Sequence, residues 1–498
     1  MSSKSSLHAI GKLGGETVVY GLSGTISKFI NFFLIPLYAR AFSPLDYGFI
    51  GLISSLLSMF NTLVILGTDS AASRWYYDTQ DTSQRRRVIS SWFWWQVTVA
   101  ASVVTLAFIF AASLADMLFK DRQYAFLVRI AVLTVPLTVF STVTNKWYRY
   151  QRRPWGAMLF SVSASLLTIG ATVLLVLGFK KGLVGFYSAS LISHIFVCFI
   201  SLIVLKNWIS PRFAAQPVLK EMLAFSLPLI PASLAGWIRD SSDRLILQMF
   251  CDISSVGFYV FAQTLASSFA LITASFQMAW GPFAYSIMHE SNARRIYSQV
   301  LGVYTWLGCL LATTMSLFAP LLVQILATPK YIPSISMIPA LVFSHLTLGV
   351  FYIVSVGLNI VKKPAPLGVG AFAAAGLGVV LNFVLVPFLG NQGAALAKLV
   401  ANLAATSYIY LVSQRYYPIP FRIRDILVPF LLSAFFISVD RFFLGDSTLG
   451  SFFIRLSMCI SFIPLAFGLG IIKPQSIRHM MVSLQARLSK SSRSGKVT

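Results

Sequence analysis

Acidic residues are scarce in this chain. Its 498 residues include 15 Asp and Glu against 39 Lys and Arg, and charged residues of both signs make up only 11%. A soluble globular protein carries about 25% charged residues, so the polar surface needed to keep this chain in water is missing. With 57% hydrophobic residues and a mean hydropathy of +0.76, the composition is that of an integral membrane protein. Cysteine is sparse as well. Cys198, Cys251, Cys309 and Cys459 are dispersed, mostly within apolar runs, which argues against a disulfide framework and gives no metal-ligand spacing. The five histidines (His8, His194, His289, His345, His479) are scattered, and neither a nucleophile elbow nor a phosphate-cradling glycine loop occurs. The expectation is a protein without enzymatic chemistry or a cofactor. No cleavable signal peptide is evident either: the start, MSSKSSLHAIGKLGG, is polar, and the first apolar stretch is long enough to stay in the membrane as an anchor.

Long apolar runs are what the chain does have. A helix needs about 20 such residues to cross the hydrocarbon core, and on that rule about fourteen spans are expected. The +24 net charge is divided among short loops between them: Arg85 to Arg87, Tyr148 to Pro154, Arg294 with Arg295, Lys362 with Lys363, and Arg422 to Arg424, followed by a basic tail. Placing the N-terminus in the cytoplasm puts all of these on the inner side, as the positive-inside rule demands, and predicts both termini to be cytoplasmic. The charge is then topology, not a coherent basic face, and nucleic acid is not an expected partner. The tail is expected to lie on anionic lipid or remain disordered.

Three landmarks recur at a separation of about 208 to 210 residues. Ser43 to Phe49 returns as Asp252 to Phe258, pairing Gly48 with Gly257. Gln151 to Trp155 returns as Val361 to Ala365, pairing Pro154 with Pro364. Gly182 to Ser190 is echoed by Asn391 to Lys398, pairing Gly185 with Gly393. Each repeat holds six spans, an even number, so the halves share one orientation and are related by an axis along the membrane normal, with the substrate path between them. The expected fold is all-α: a six-helix lobe at 1–206, a second at 207–413, two further helices at 414–472 and a basic tail at 473–498.

Within the apolar run Leu227 to Phe250 stand Arg239, Asp240, Asp243 and Arg244. An ionisable group at the bilayer centre costs roughly 2.5–3.5 kcal/mol on insertion scales, so these face protein or water. Their spacing suggests pairs at i,i+4, Arg239 with Asp243 and Asp240 with Arg244. Two outcomes are open: mutual neutralisation, or an arginine facing the path and meeting an anion. Pro228, Pro231 and Gly236 predict a bend in the same span. In the first span Glu16, Tyr20, Ser23, Ser27 and Asn31 form a polar stripe with Lys28 beside it. The stripe is consistent with helix packing, and Lys28 with either a hydrated cavity or snorkelling. Arg129 and Lys398 are comparable intramembrane cations. Converging, these side chains would give a net-cationic path suited to an anionic substrate such as a diphosphate or acidic sugar. Trp237 is a candidate ring for sugar contact or for ordinary packing.

Leu66 to Asp78 (LGTDSAASRWYYD), Ser226 to Leu247 (SLPLIPASLAGWIRDSSDRLIL) and Ile253 to Leu265 (ISSVGFYVFAQTL) resemble segments of the Wzx-type polysaccharide flippases. These form the polysaccharide transporter branch of the multidrug/oligosaccharidyl-lipid/polysaccharide exporter superfamily. The resemblance spans roughly residues 10 to 470 through loose patterns of Gly, Pro and charge. It implies a two-lobed, V-shaped bundle in a bacterial inner membrane. Such a bundle would move undecaprenyl-diphosphate-linked oligosaccharide to the periplasmic leaflet by alternating access, with a polysaccharide polymerase complex as a further partner. It also implies ion coupling, for which Asp240, Asp243 and Glu16 are the candidates, although a carboxylate already paired with arginine would carry protons poorly. Rival readings are a multidrug and toxin extruder, a lipid II flippase and, from another class, a membrane polysaccharide polymerase or ligase.

Overall fold

The computed structural model describes residues 34–444 and 449–468. Glu16, Lys28 and Asn31, most of the expected first span and the basic tail lie outside the described residues. Those described are helical, with no strand among them, and twelve helices are long and apolar enough to cross a membrane. We number them α1 (Pro44–Asp78), α2 (Thr82–Ile109), α3 (Arg122–Tyr150), α4 (Pro154–Gly178), α5 (Gly182–Leu205), α6 (Gln216–Phe250), α7 (Ile253–Ser286), α8 (Ala293–Leu317), α9 (Pro329–Ile360), α10 (Ala365–Tyr416), α11 (Ile423–Leu444) and α12 (Gly450–Gly468). Within α10, Gly390 leaves the helical region (φ 53°, ψ −130°) and divides it at 365–389 and 391–416, so this one element supplies two passes.

The backbone repeats where the sequence does. Ser43 and Asp252 both cap the helices that follow, their side chains accepting from the backbone N–H of Asp46 and Ser255; such caps satisfy donors that the first helical turn leaves free. Arg152 (φ 51°) and Lys362 (φ 56°) both turn left-handed two residues before a proline that opens the next helix, an efficient way to end one helix and start another. Gly182 (φ 55°) and Gly390 (φ 53°) match in the same way. α4 and α5 therefore correspond to the two parts of α10.

The bundle has two lobes. Helices α1 to α5 pack among themselves, as do α6 to α10, and α11 and α12 lie against the second lobe through α8. The lobes meet chiefly where α1 crosses α7. A Cβ on Gly48 would lie 2.1 Å from the Ile253 carbonyl oxygen, and one on Gly257 would lie 1.7 Å from that of Pro44. Equivalent residues thus meet reciprocally, the signature of a two-fold contact, and the absence of side chains lets the backbones touch. An aromatic plug adjoins the crossing: Phe261 and Tyr331 lie 4.6 Å apart, Tyr47 packs on both, and the Tyr331 hydroxyl donates to the Phe42 carbonyl at 2.9 Å.

The bend expected in α6 falls at its start. Leu227–Leu229 form a single 3-10 turn at Pro228, after which Ile230–Phe250 is regular helix through Gly236. A Cβ on Gly236 would meet nothing within 4 Å.

Gly257→Ala is expected to push α1 away from α7. Spin labels on the two helices, read by pulsed electron resonance, should show a longer and broader distance, while Gly236→Ala leaves it unchanged. An unaltered distance in Gly257→Ala would refute the close crossing.

Candidate functional site

The charged cluster of α6 lies along the seam between lobes and partly inside the second lobe. Asp243, only 3% exposed, faces away from solvent. Its Oδ2 accepts from Lys398 Nζ of α10 at 2.7 Å and from the Tyr259 hydroxyl of α7 at 2.6 Å, and Oδ1 accepts the Arg244 backbone N–H at 2.9 Å. Ser242, Asn382 and Asn402 line a small cleft beside this group together with Arg239 and Lys398. Removing two opposite charges from water costs several kcal/mol per ion, and only close geometry with additional hydrogen bonds offsets it. Three donors on one carboxylate meet that condition.

The pairs expected from i,i+4 spacing do not form. Arg239 instead binds its neighbour Asp240, Nε to Oδ1 at 3.0 Å, because Asp243 has turned inward to Lys398. Asp240 is 62% exposed, so this pair is worth at most about 1 kcal/mol. Tyr352 lies within electrostatic reach of Arg239, and His345 within reach of Lys398 and Asp240, placing the group against α9.

Arg244 differs from the others. Its Nε and Nη2 donate to Gln263 Oε1 of α7 at 3.2 and 2.9 Å, and Nη1 reaches the Gly51 carbonyl of α1 at 3.5 Å. Among the described residues no carboxylate lies within 4 Å of its guanidinium. About two turns earlier, Trp237 Nε1 donates to the Ser55 carbonyl of α1 at 3.2 Å. Both side chains therefore span the lobe boundary. The expected surplus of positive charge is mostly cancelled in pairs, and Arg244, within electrostatic reach of Asp243, has no direct carboxylate contact among the described residues.

Arg129 is not brought to this cluster. It is exposed on α3 with its guanidinium 5.3 Å above the Phe108 ring of α2, so it faces a neighbour within the first lobe and not the seam. Lys398 is present in the cluster but saturated by Asp243, so it adds no free charge.

The structure also reveals polar groups that sequence reasoning passed over. Tyr259 and Gln263 bond Asp243 and Arg244, while Asn382 and Asn402 line the adjoining cleft, Asn402 donating to Ser344 Oγ at 2.7 Å. In the first lobe Lys146 pairs with Asp69, which also accepts from Gln96 Nε2 at 3.4 Å. A signal existed for the latter pair: Asp69 and Lys146 stand at the ends of apolar spans that finish on the same side of the membrane. Among the described residues no three His, Cys, Asp or Glu converge closely enough to hold a metal ion.

Known proteins agree with this architecture. The lipid II flippase MurJ in an inward closed conformation superposes with a TM-score of 0.70, covering 91% of this chain and 100% of that one at 15% identity. An inward-facing multidrug resistance MATE family transporter of the MOP superfamily gives 0.65, covering 80% and 94% at 17% identity. The chain thus has the two-lobe fold of that superfamily. In sequence it is 24% identical to Lsg locus putative protein 1 of Haemophilus influenzae over 286 residues, 56% of this chain and 68% of that protein. It is 25% identical to the succinoglycan biosynthesis transport protein ExoT of Rhizobium meliloti over 303 residues, 59% of this chain and 57% of that protein. The family model described as polysaccharide biosynthesis protein matches residues 13–288, more than half of the chain. The chain belongs to the polysaccharide biosynthesis protein family.

Proposed function

We propose that the protein flips an undecaprenyl-diphosphate-linked oligosaccharide from the cytoplasmic to the periplasmic leaflet of a bacterial inner membrane by alternating access. The observation that carries this reading is Arg244, a guanidinium in the lobe seam whose hydrogen bonds, among the described residues, all go to neutral oxygens and none to a carboxylate. Guanidinium binds phosphate oxygens in a fork geometry, and a charge kept unpaired at membrane depth is costly without a use. The relatives support the pathway: one is named for succinoglycan biosynthesis transport and a structural neighbour for flipping lipid II. The sidedness follows from charge. The crossing of α1 and α7 lies at the end carrying Ser43 and Asp252, while the basic loops at 85–87, 148–154 and 294–295 lie at the other. On the positive-inside rule the sealed end is periplasmic, and in this scheme the headgroup enters from the cytoplasmic end, where the Trp75 indole N–H of α1 donates to Glu221 of α6 at 3.1 Å and must let go.

In this scheme Lys28 and Asn31 join Arg244 on the path, Arg239 and Asp240 form its exposed wall, and Arg129 plays no part in the route. Trp237 serves as a tether between lobes. Asp240, exposed and held only by its neighbour, is the carboxylate open to a coupling ion, whereas Asp243 balances Lys398. An extruder of organic cations is the second reading, since its fold is shared; it would need acidic groups free to meet a cation, and the described ones in the cluster are paired.

Arg244→Ala should lower surface polysaccharide about tenfold or more in a strain lacking its own flippase, at unchanged protein level in the membrane, with Arg244→Lys intermediate. Normal polymer in Arg244→Ala, or dye resistance conferred by the unaltered chain, would count against the flippase.

The buried pair makes a separate prediction. Lys398→Met alone should destabilise the detergent-purified protein by about 3–5 kcal/mol, the cost of a buried carboxylate left without its partner. Adding Asp243→Leu should recover most of that loss in thermal unfolding. Equal losses in the single and double variants would show that the pair is not what holds α6 to α10.

A further inference from the structure

A cavity of about 700 Å³ lies away from the lobe seam. Its walls come from the segments between α8 and α12, and none from residues 34–205. It opens where α8 ends, where α10 breaks at Gly390 and where α11 finishes in a π turn, Asp440–Leu444. These are all helix ends on one side, so the cavity sits at headgroup depth. Turns of this kind are rare and recur at functional sites.

The lining has two characters. Ile332, Pro333, Leu389 and Ile437 form an apolar wall. Facing it are the amide side chains of Asn391 and Gln392 and the exposed Arg441, none with a hydrogen-bond or ion-pair partner among the described residues. At the inner end Arg455, 4% exposed, donates from Nε to Asp440 Oδ1 at 2.6 Å. That pair is internally neutral and ties α12 to α11. Arg441 is left as one uncompensated positive charge beside two unused amides.

We propose that this cavity binds the phosphodiester headgroup of an anionic bilayer phospholipid, with phosphate on Arg441, headgroup oxygens on Asn391 and Gln392, and an acyl chain along Leu389 and Ile437. Charge selects this occupant. Among the described residues one cation without a partner lines the cavity, which matches the single negative charge of a phosphodiester and would leave a diphosphate half neutralised. The apolar wall beside the polar rim excludes a free inorganic anion as the natural fit, because that wall would then be left facing water. The site concerns the surrounding membrane and does not depend on which cargo the seam carries.

Native mass spectrometry of the full-length protein tests this, with phosphatidylglycerol as the probe and phosphatidylcholine as the neutral comparison. One phosphatidylglycerol per chain should be retained in preference to phosphatidylcholine. Arg441→Gln should weaken its retention about tenfold, the loss expected for one charge-assisted contact. Arg441→Lys should keep most of it. Leu389→Trp, which fills the apolar wall without altering charge, should also reduce it. Wild-type retention in Arg441→Gln, equal retention of phosphatidylcholine, or displacement by inorganic phosphate or by undecaprenyl diphosphate at equal concentration would each overturn the proposal. Polysaccharide output does not enter this readout, so the transport reading can fail independently.

Discussion

The close approach of α1 and α7 is the constraint on which the rest of the bundle depends. Two backbones can touch in a membrane only where neither carries a side chain, and van der Waals contact must then supply what the hydrophobic effect cannot, since lipid is as apolar as leucine. Gly48 and Gly257 meet that requirement at equivalent points of the repeat. Because Pro44 and Ile253 receive them reciprocally, the contact defines the pseudo-two-fold axis. The N-caps Ser43 and Asp252 repeat about that axis, while the aromatic plug and the charged cluster of α6 lie beside it without repeating.

Charge inside the second lobe is arranged by how much water each group retains. The most buried carboxylate, Asp243, collects an ammonium, a phenol and a backbone N–H; the exposed Asp240 makes do with a neighbouring guanidinium. This ordering is what the desolvation penalty predicts, because a buried ion without full compensation is unaffordable and an exposed one hardly needs a partner. Arg244 occupies the middle ground, partly buried and bonded only to neutral oxygens.

Much of this was legible in the sequence, and the remainder failed for identifiable reasons. Span length and hydropathy are properties of contiguous residues, so the helices could be read directly, and α10 still shows two passes because Gly390 interrupts it. The repeat was visible because the positions that need left-handed backbone or close contact tolerate few residue types. The partner of Asp243 was not visible. Spacing at i,i+4 says that Arg239 could reach it, but Lys398 lies 155 residues away, and only the packing of α6 on α10 brings it near. For Asp69 and Lys146 the common side of the membrane could be read but not the contact, which the packing of α1 and α3 supplies. Convergence of Arg129 with the cluster was expected from sign of charge alone, which carries no information about which lobe face a helix presents.

The seam itself is fastened lightly. Among the described residues the side-chain bonds between lobes run from Trp237 and Arg244 to backbone carbonyls of α1, from Trp75 to Glu221, from Tyr331 to the Phe42 carbonyl and from Arg40 to the Ile325 carbonyl, with no ion pair among them, and a typical hydrogen bond contributes about 0.5–1.5 kcal/mol net. The strong ion pairs, Asp243 with Lys398 and Asp69 with Lys146, lie within single lobes. A partition of this kind suits the proposed cycle. Rocking the lobes apart would break weak contacts and leave each buried ion with its partner, so the two states can lie within the few kcal/mol that a ligand or ion is able to shift. Had the ion pairs bridged the seam, every cycle would expose or strand a buried charge, at a cost near that of unfolding the site.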